Sequence, residues 1–501
     1  MLDYAASLRL VVCLLACRIL LLTTIVYAQV IDGLQYIASY DDLIMTIGPN
    51  AVLGRQHYET YGRREGRQPD RFDEARYLAN YADLRAAFGA DRVAATVHYI
   101  RYGFAEGRTD RATPPACPAR RACRKRVTSA AALADALATT GCGCEIVLAD
   151  GSYAGDFVLA RQCPIDQPLV VRAEHLLGAV ARGRFTLTGD HVALVGLDVS
   201  GSQAAVEVGG TGNRVLRNRF SGWSGVAVKA IAGSGAEIAY NELASPAPWR
   251  GGGDKTRIGI ASNASRGGLH RNAHVHGNHL HDFPAKPDGS QYSSGQADAL
   301  EICGAQQPIS ASPSGWIIER NLIQRHHQAG AAAIDIKCSG TTVRYNTLLD
   351  SPGARLDLRS GVDSILAGNW LERTGGIVVH GGYHRLLGNV LRQSAGIVLT
   401  AGNVPFDYIG PTRLPARGDT HQATAKVLLS GNDVPWIAIG TSYDASFTYP
   451  AHDNTIEQFA GPVHYGLQHD TRLTPRPSAY VPAAIRQAAT NVGPFARGGC
   501  P

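Results

Sequence analysis

The sequence predicts an all-β fold, a right-handed parallel β-helix, preceded by a small α-helical repeat module. Three observations carry that expectation. Beyond about Val127, short apolar runs alternate with glycine and with an asparagine that mostly returns every 20 to 25 residues. Ahead of that region a 41-residue unit occurs twice. The chain of 501 residues has 56 Gly and only 2 Met, a balance that disfavours a helical bundle and favours a turn-rich β architecture.

Bulk properties narrow the class further. Hydrophobic residues at 45% and charged residues at 18% allow a buried core and exclude a broadly disordered chain. The net charge of +6 is spread along the chain. It suits an acidic ligand and gives no concentrated footprint for nucleic acid.

The elements follow in chain order. Residues 10–28 are apolar except for Arg18, and Val26-Tyr27-Ala28 offers small or apolar residues where a signal peptidase reads. Residues 1–28 are therefore read as a signal peptide, with a retained anchor as the rival reading. The chain is expected to be secreted or periplasmic, with no membrane association after cleavage, since no later segment is apolar enough to span a bilayer. Eight of the ten Cys lie beyond this segment, an even number that suits disulfides in an exported chain. Cys117 and Cys123 could close a small loop, and Cys142, Cys144 and Cys163 form a cluster. The pairing is left open.

Residues 29–108 hold the tandem unit. Tyr36-Ile37-Ala38-Ser39-Tyr40-Asp41-Asp42-Leu43 matches Tyr77-Leu78-Ala79-Asn80-Tyr81-Ala82-Asp83-Leu84, and Gly48, His57-Tyr58 and Glu65-Gly66-Arg67 recur 41 residues later. The apolar spacing predicts short amphipathic helices closed by glycine. The His-Tyr pairs are read as packing within a repeat core, and the module as one for packing or attachment. Residues 109–126, rich in Pro, Ala and Arg, are read as a linker.

Residues 127–460 are read as the solenoid and 461–501 as a C-terminal extension. The recurring asparagines are Asn218, Asn241, Asn278, Asn321, Asn346, Asn369 and Asn389, with later copies at Asn432 and Asn454. Stacked at a turn, one amide can bond the next and the turn backbone, and Asn tolerates the left-handed region. The wider gaps, 241 to 278 and 278 to 321, leave room for insertions.

Several segments here are similar to one known family. Glu145-Ile146-Val147-Leu148-Ala149-Asp150-Gly151-Ser152-Tyr153 opens the solenoid, followed by Pro168-Leu169-Val170-Val171-Arg172-Ala173. Ile336-Lys337-Cys338-Ser339-Gly340 with Val343-Arg344-Tyr345-Asn346-Thr347 forms one later coil, and Leu356-Asp357-Leu358-Arg359-Ser360-Gly361 forms the next. Together these resemble polysaccharide lyase family 6, the chondroitinase B and alginate lyase group. The resemblance implies a β-helix that cleaves a uronate-containing glycan by β-elimination, with Lys337 as base and Arg359 as its proton-handling partner. It also implies calcium held by an Asn and two Glu. Here the two Glu positions fall on Gly330 and Ala332 and the Asn near Gly295 or Gln296, so that calcium set is largely missing.

Strand alternation can be read without the family. In Ile334-Asp335-Ile336-Lys337 the isoleucines point inward, so Asp335 and Lys337 point outward. The same logic exposes Glu301 and Cys303, Asp357 and Arg359, and His380. Stacked, these give a column of Cys303, Lys337, Arg359 and His380 beside a column of Glu301, Asp335 and Asp357, a basic and an acidic row on one groove wall. β-Elimination needs a cation on the substrate carboxylate and a placed base, because removing the C5 proton puts a second charge beside an anion.

Three readings stay open. Arg355 or His380 neutralises the carboxylate without metal and contacts substrate. Calcium or another cation binds a displaced site using Glu301, Asp335 and Asp298. Or the solenoid has lost its chemistry and only binds glycan. A uronan epimerase or a glycoside hydrolase is a further reading, since β-helices host each. In every case the expected partner is an acidic polysaccharide. Elsewhere, His326-His327 is read as polar surface in a turn, Tyr383-His384 as a turn contact, and Asn263-Ala264-Ser265 as a glycosylation sequon.

Overall fold

The computed structural model describes residues 31–111, 123–201, 205–248, 257–262, 269–286, 297–303, 313–328, 331–403, 421–422, 424, 426–442, 451–457, 459, 461–465, 469–474, 484–488 and 492–494. The signal segment, Cys117, Cys500 and the sequon at Asn263 lie outside the described residues.

The helical module forms as its repeat dictates. Each copy has three short helices, Gly33–Ala38, Asp41–Thr46 and Ala51–His57, then Glu74–Asn80, Ala82–Phe88 and Arg92–His98, and each third helix runs into a π-turn. Gly48 and Gly89 stop the second helices at positive φ. The repeats share one internal lock. Tyr36 Oη meets His57 Nδ1 at 3.2 Å, and Tyr77 Oη meets His98 Nδ1 at 3.0 Å. A Cβ at Gly62 would fall 2.1 Å from Tyr36 Oη, and one at Gly103 1.9 Å from Tyr77 Oη, so only glycine lets the π-turn close over the phenol. Arg67 and Arg108 lie over the Tyr40 and Tyr81 rings, each at 4.9 Å, and pair with Asp42 and Asp83.

The solenoid has three parallel sheets, called here I, II and III by the order in which the chain enters them. Sheet I starts at Cys123–Val127, sheet II at Gly151–Ala154 and sheet III at Phe157–Leu159. Strand pairing runs on through Val463–Tyr465 and His469–Thr474, past the boundary at 460 read from sequence. The inward side chains form one continuous core, from Val127 to Ile456. One helix was not read from sequence. Ala130–Thr139, capped by Ser129, packs Leu133 and Ala136 into that core and covers its N-terminal end. An open solenoid end exposes apolar interior and unpaired strand edges, which is the physical reason for a cap.

The asparagine column forms as expected from Asn218 to Asn432. In each step the backbone N–H and the Nδ2 of one Asn donate to Oδ1 of the next, at 2.9 to 3.2 Å. The left-handed residue is the one before each Asn: Arg217, Tyr240, Gly277, Arg320, Tyr345, Gly368, Gly388 and Gly431 all have positive φ. Asn454 is not in this column. It lies within the strand Ala451–Glu457, and its Oδ1 accepts the N–H of Val427 at 3.0 Å, as Asn213 Oδ1 accepts that of Val192 at 2.9 Å.

The disulfides follow the coil. Cys123 pairs with Cys144 and Cys142 with Cys163, each 21 residues apart, and Cys303 pairs with Cys338. One turn of the solenoid brings those sulfurs together, so the short Cys117–Cys123 loop gives way to a bond across coils. The module docks on sheet I. Phe104 meets Tyr345 edge-on, and Ile365, Ala367 and Leu387 join the module's core. Arg344, almost fully buried, bridges Glu319 Oε2 at 2.5 Å and Asp41 Oδ2 at 3.0 Å and lies over Phe104 at 4.6 Å. Although burial opposes its charge, Arg320 and Arg344 hold the Glu319 carboxyl well below the usual range.

Candidate active site

Four consecutive strands of sheet III position the predicted residues: Leu300–Ile302, Ala332–Ile336, Arg355–Leu358 and Ile377–Val379. Their aliphatic residues point into the core, so alternation turns the polar ones outward. Register pairs Glu301 with Asp335 and Asp335 with Asp357, and the column ends at Val378. Lys337, Arg359 and His380 each follow a strand in matching positions. Their N–H groups donate to Ile302, Ile336 and Leu358 carbonyls at 2.9, 2.8 and 2.8 Å.

Two expectations are corrected. Cys303 has a positive φ of 61°, and its sulfur turns into the core to meet Cys338 rather than outward above Lys337. The two rows are also not an open wall of separate charges. Asp335 and Asp357 are each 1% exposed, His380 2% and Lys337 8%. Ionised groups at that depth must pair, and these do. Lys337 Nζ donates to Glu301 Oε1 at 2.5 Å and lies 3.1 Å from Asp335 Oδ2. Asp357 accepts Arg355 Nε at 3.2 Å, with His380 Nε2 at 3.6 Å. Arg355 and Arg359 remain partly exposed, so they are the members of the row that solvent reaches.

The electrostatics are dominated by burial and by carboxylates. Burial pushes Glu301, Asp335 and Asp357 above the usual carboxyl range, against the pull of Lys337, Arg355 and Arg359. Asp298, fully buried, is raised well above that range: burial and the Asp335 and Glu301 charges act together. Its Oδ1 accepts the Ala332 N–H at 2.7 Å, while Oδ2 has no hydrogen-bond partner. Both Asp335 oxygens and Asp357 Oδ1 also lack an aligned hydrogen bond. For Lys337, burial opposes the charge, but Asp335 and Glu301 outweigh it and hold the ammonium above the ordinary lysine range.

His384 supports this row from below. Its Nε2 donates to the His380 carbonyl at 2.9 Å and its Nδ1 accepts the Ser364 N–H at 3.1 Å, and burial pushes it down to about 4, so it stays neutral. That agrees with the turn contact read for Tyr383-His384. His326 differs from its reading as surface. It is fully buried, stacks on Phe283 at 4.9 Å and donates from Nε2 to the Ala297 carbonyl at 2.9 Å.

The calcium set implied by the resemblance does not fit the residues present. Gly295, Gln296 and Gly330 lie outside the described residues, and Ala332 offers a methyl group. Between Glu301 and Asp335 stands the Lys337 ammonium, which a divalent ion would have to displace. Among the described residues, the acidic row forms no set of three side chains whose ligand atoms all lie within 4.8 Å of one another.

A feature missed from sequence is the run His274-Val-His276-Gly-Asn-His279-Leu-His281. Its doubled alternation places two histidines on one face of each of two successive strands, one in sheet I and one in sheet II. The signal was the His-x-His spacing itself.

No family model matches the chain, and no curated protein matches it. Solved structures do share its fold. The PL6 family polysaccharide lyase from Pseudopedobacter saltans superposes with a TM-score of 0.52 at 14% identity, covering 74% of this chain and 99% of that one. A PL6 alginate lyase in complex with a trisaccharide gives 0.54 at 16% identity, over 74% and 88%. A mannuronic acid specific family 6 lyase from human gut microbiota gives 0.51 at 15% identity, over 70% of this chain and 82% of that one. The chain therefore has the right-handed parallel β-helix fold of these lyases.

Proposed function

We propose that the protein is a polysaccharide lyase that cleaves an alginate-like or other uronate-containing glycan by β-elimination. The observation that carries this reading is the in-register placement of Lys337 and Arg359 on adjacent coils of sheet III, with Arg355 beside them. Neighbouring folds that are alginate lyases, two of them complexed with oligosaccharides, support the substrate class.

In this reading the substrate carboxylate docks on Arg355 and Arg359, the cations that solvent reaches. Their charge disperses the second negative charge that forms when C5 loses its proton. Lys337 is the base. It becomes competent by passing its proton to Glu301, across the 2.5 Å contact. Bound glycan excludes the remaining water, and desolvation favours the neutral pair over the ion pair. Neutral Lys337 then takes the C5 proton, the C4=C5 double bond forms, and the C4–oxygen bond breaks. Arg359 hydrogen-bonds the departing oxygen, and the proton on Lys337 returns to it. His380 orients Asp357 and Arg355. The three cross-coil disulfides support export to an oxidising compartment, secreted or periplasmic.

The test is the ultraviolet absorbance of unsaturated uronate product on alginate, chondroitin and dermatan sulfates, pectate and hyaluronan. Product formation abolished in Lys337→Ala is the expected result. No product on any glycan, with saturable binding to one, would establish a glycan-binding solenoid instead.

A further inference from the structure

Outside the Lys337 row, the outer face of sheet II carries a second cluster. Glu242–Ala244 pairs in parallel with His279–Phe283, with Glu242 opposite His279 and Ala244 opposite His281. Alternation puts Glu242, His279 and His281 on one face. One ligand atom from each lies within 4.8 Å of the other two. The two imidazole rings stand 4.1 Å apart, and His281 Nε2 is 3.2 Å from Glu242 Oε1.

Two further observations point to a ligand. His279 Nε2 is buried and has no hydrogen-bond partner. His281 Nδ1 bonds Asp282 Oδ2 at 2.6 Å, and Asp282 is itself held by Arg325 Nε at 2.5 Å and Nη2 at 3.0 Å. A carboxylate behind a histidine is the arrangement that orients a metal-binding imidazole and raises its basicity. Arg219 holds the other oxygen of Glu242, Oε2, at 2.7 Å, which leaves Oε1 turned to the histidines. The neighbouring pair His274 and His276 is built differently. There both histidines already bond a glutamate, Glu319 at 3.0 Å and Glu237 at 3.1 Å, whereas here only His281 does and His279 Nε2 is left without a partner.

We propose that Glu242, His279 and His281 bind a first-row divalent metal ion, zinc being the best match, and thereby clip two coils of the solenoid together. Two imidazole nitrogens and one carboxylate oxygen form a mixed set that suits zinc and its neighbours rather than calcium. The clip spans Asn241 to Asn278, an interval of 37 residues where most coils need 20 to 25. The ion would tie that enlarged coil to the next.

The experiment uses the full chain, free of any histidine tag and stripped with chelator. Zinc is titrated by calorimetry and cobalt(II) by visible absorption, with melting followed in parallel. One ion per chain, cobalt ligand-field bands and a raised Tm are expected. All three should vanish in His279→Ala, whose side chain makes no hydrogen bond through Nε2 and whose loss therefore spares the fold. Asp282→Asn should weaken binding by about 10- to 100-fold. His276→Ala should bind as the wild type does. Absence of saturable binding, binding that survives His279→Ala, or binding lost in His276→Ala would each overturn the proposal.

Discussion

Two polar columns run up the same solenoid, and they are built on opposite terms. The asparagine column at one corner is neutral and buried, and each step repeats the same two hydrogen bonds to the next Oδ1. The column on sheet III is charged and largely buried, yet it leaves Asp335, Asp298 and Asp357 with carboxyl oxygens lacking aligned hydrogen bonds. Stacking satisfies amides because an amide both donates and accepts. Carboxylates stacked at coil spacing only accept, so they repel one another unless cations or protons intervene. The first column stabilises a fold. The second concentrates charge where it costs stability, which is the usual mark of chemistry.

The comparison is broken most directly at Lys337. Lys337→Ala should reduce elimination by about 100- to 10,000-fold, read as initial rate of product absorbance. It should also leave Glu301 and Asp335 buried without their cation, at a cost of about 3–5 kcal/mol in chemical denaturation. Loss of rate without loss of stability would separate the base role from the ion pair.

Next in size is the bond between the two columns' coils. Replacing Cys303 and Cys338 together by Ser should cost about 4 kcal/mol, as expected for closing a loop of 35 residues. Activity per folded molecule should fall as well, because the bond fixes the residue that follows Lys337.

The amide column sharpens the contrast. Asn346→Ala, with its neighbours 0% exposed, should cost about 1–3 kcal/mol and leave activity per folded molecule unchanged. An equal loss of activity would show that the corner and the charged face are coupled.

The smallest effect is a pH dependence. The folded state holds the Asp298 proton more tightly than the unfolded chain does, so this group's contribution is full at low pH. It is lost as pH rises from the unfolded value toward the raised folded one. Asp298→Asn removes that loss, so its Tm advantage over the wild type should grow as pH rises above the ordinary carboxyl range. A gap that narrows with pH would contradict the buried charge.

Much of this architecture is legible in one sequence because it repeats. Periodic Asn, Gly and β-branched runs encode the coil, and the 41-residue offset encodes the module's repeat, whereas its Tyr36–His57 and Tyr77–His98 bonds show only in the folded module. Alternation also placed Glu301, Asp335, Asp357, Lys337 and Arg359 on one face, since a strand has only two faces. What periodicity cannot give is depth and partnership. Whether an outward side chain meets water depends on what covers that face, and Asp335 and Lys337 proved buried together. The left-handed turn at Cys303 reversed one side chain because φ is a local choice that alternation assumes away. Pairing of Cys123 with Cys144, docking of Arg344 on Asp41 and convergence of Glu242 with His279 and His281 all join residues from different coils or modules. Sequence determined the repeating unit, and the tertiary structure decided which charges met, because the energy of a buried charge is set by neighbours that lie far away along the chain.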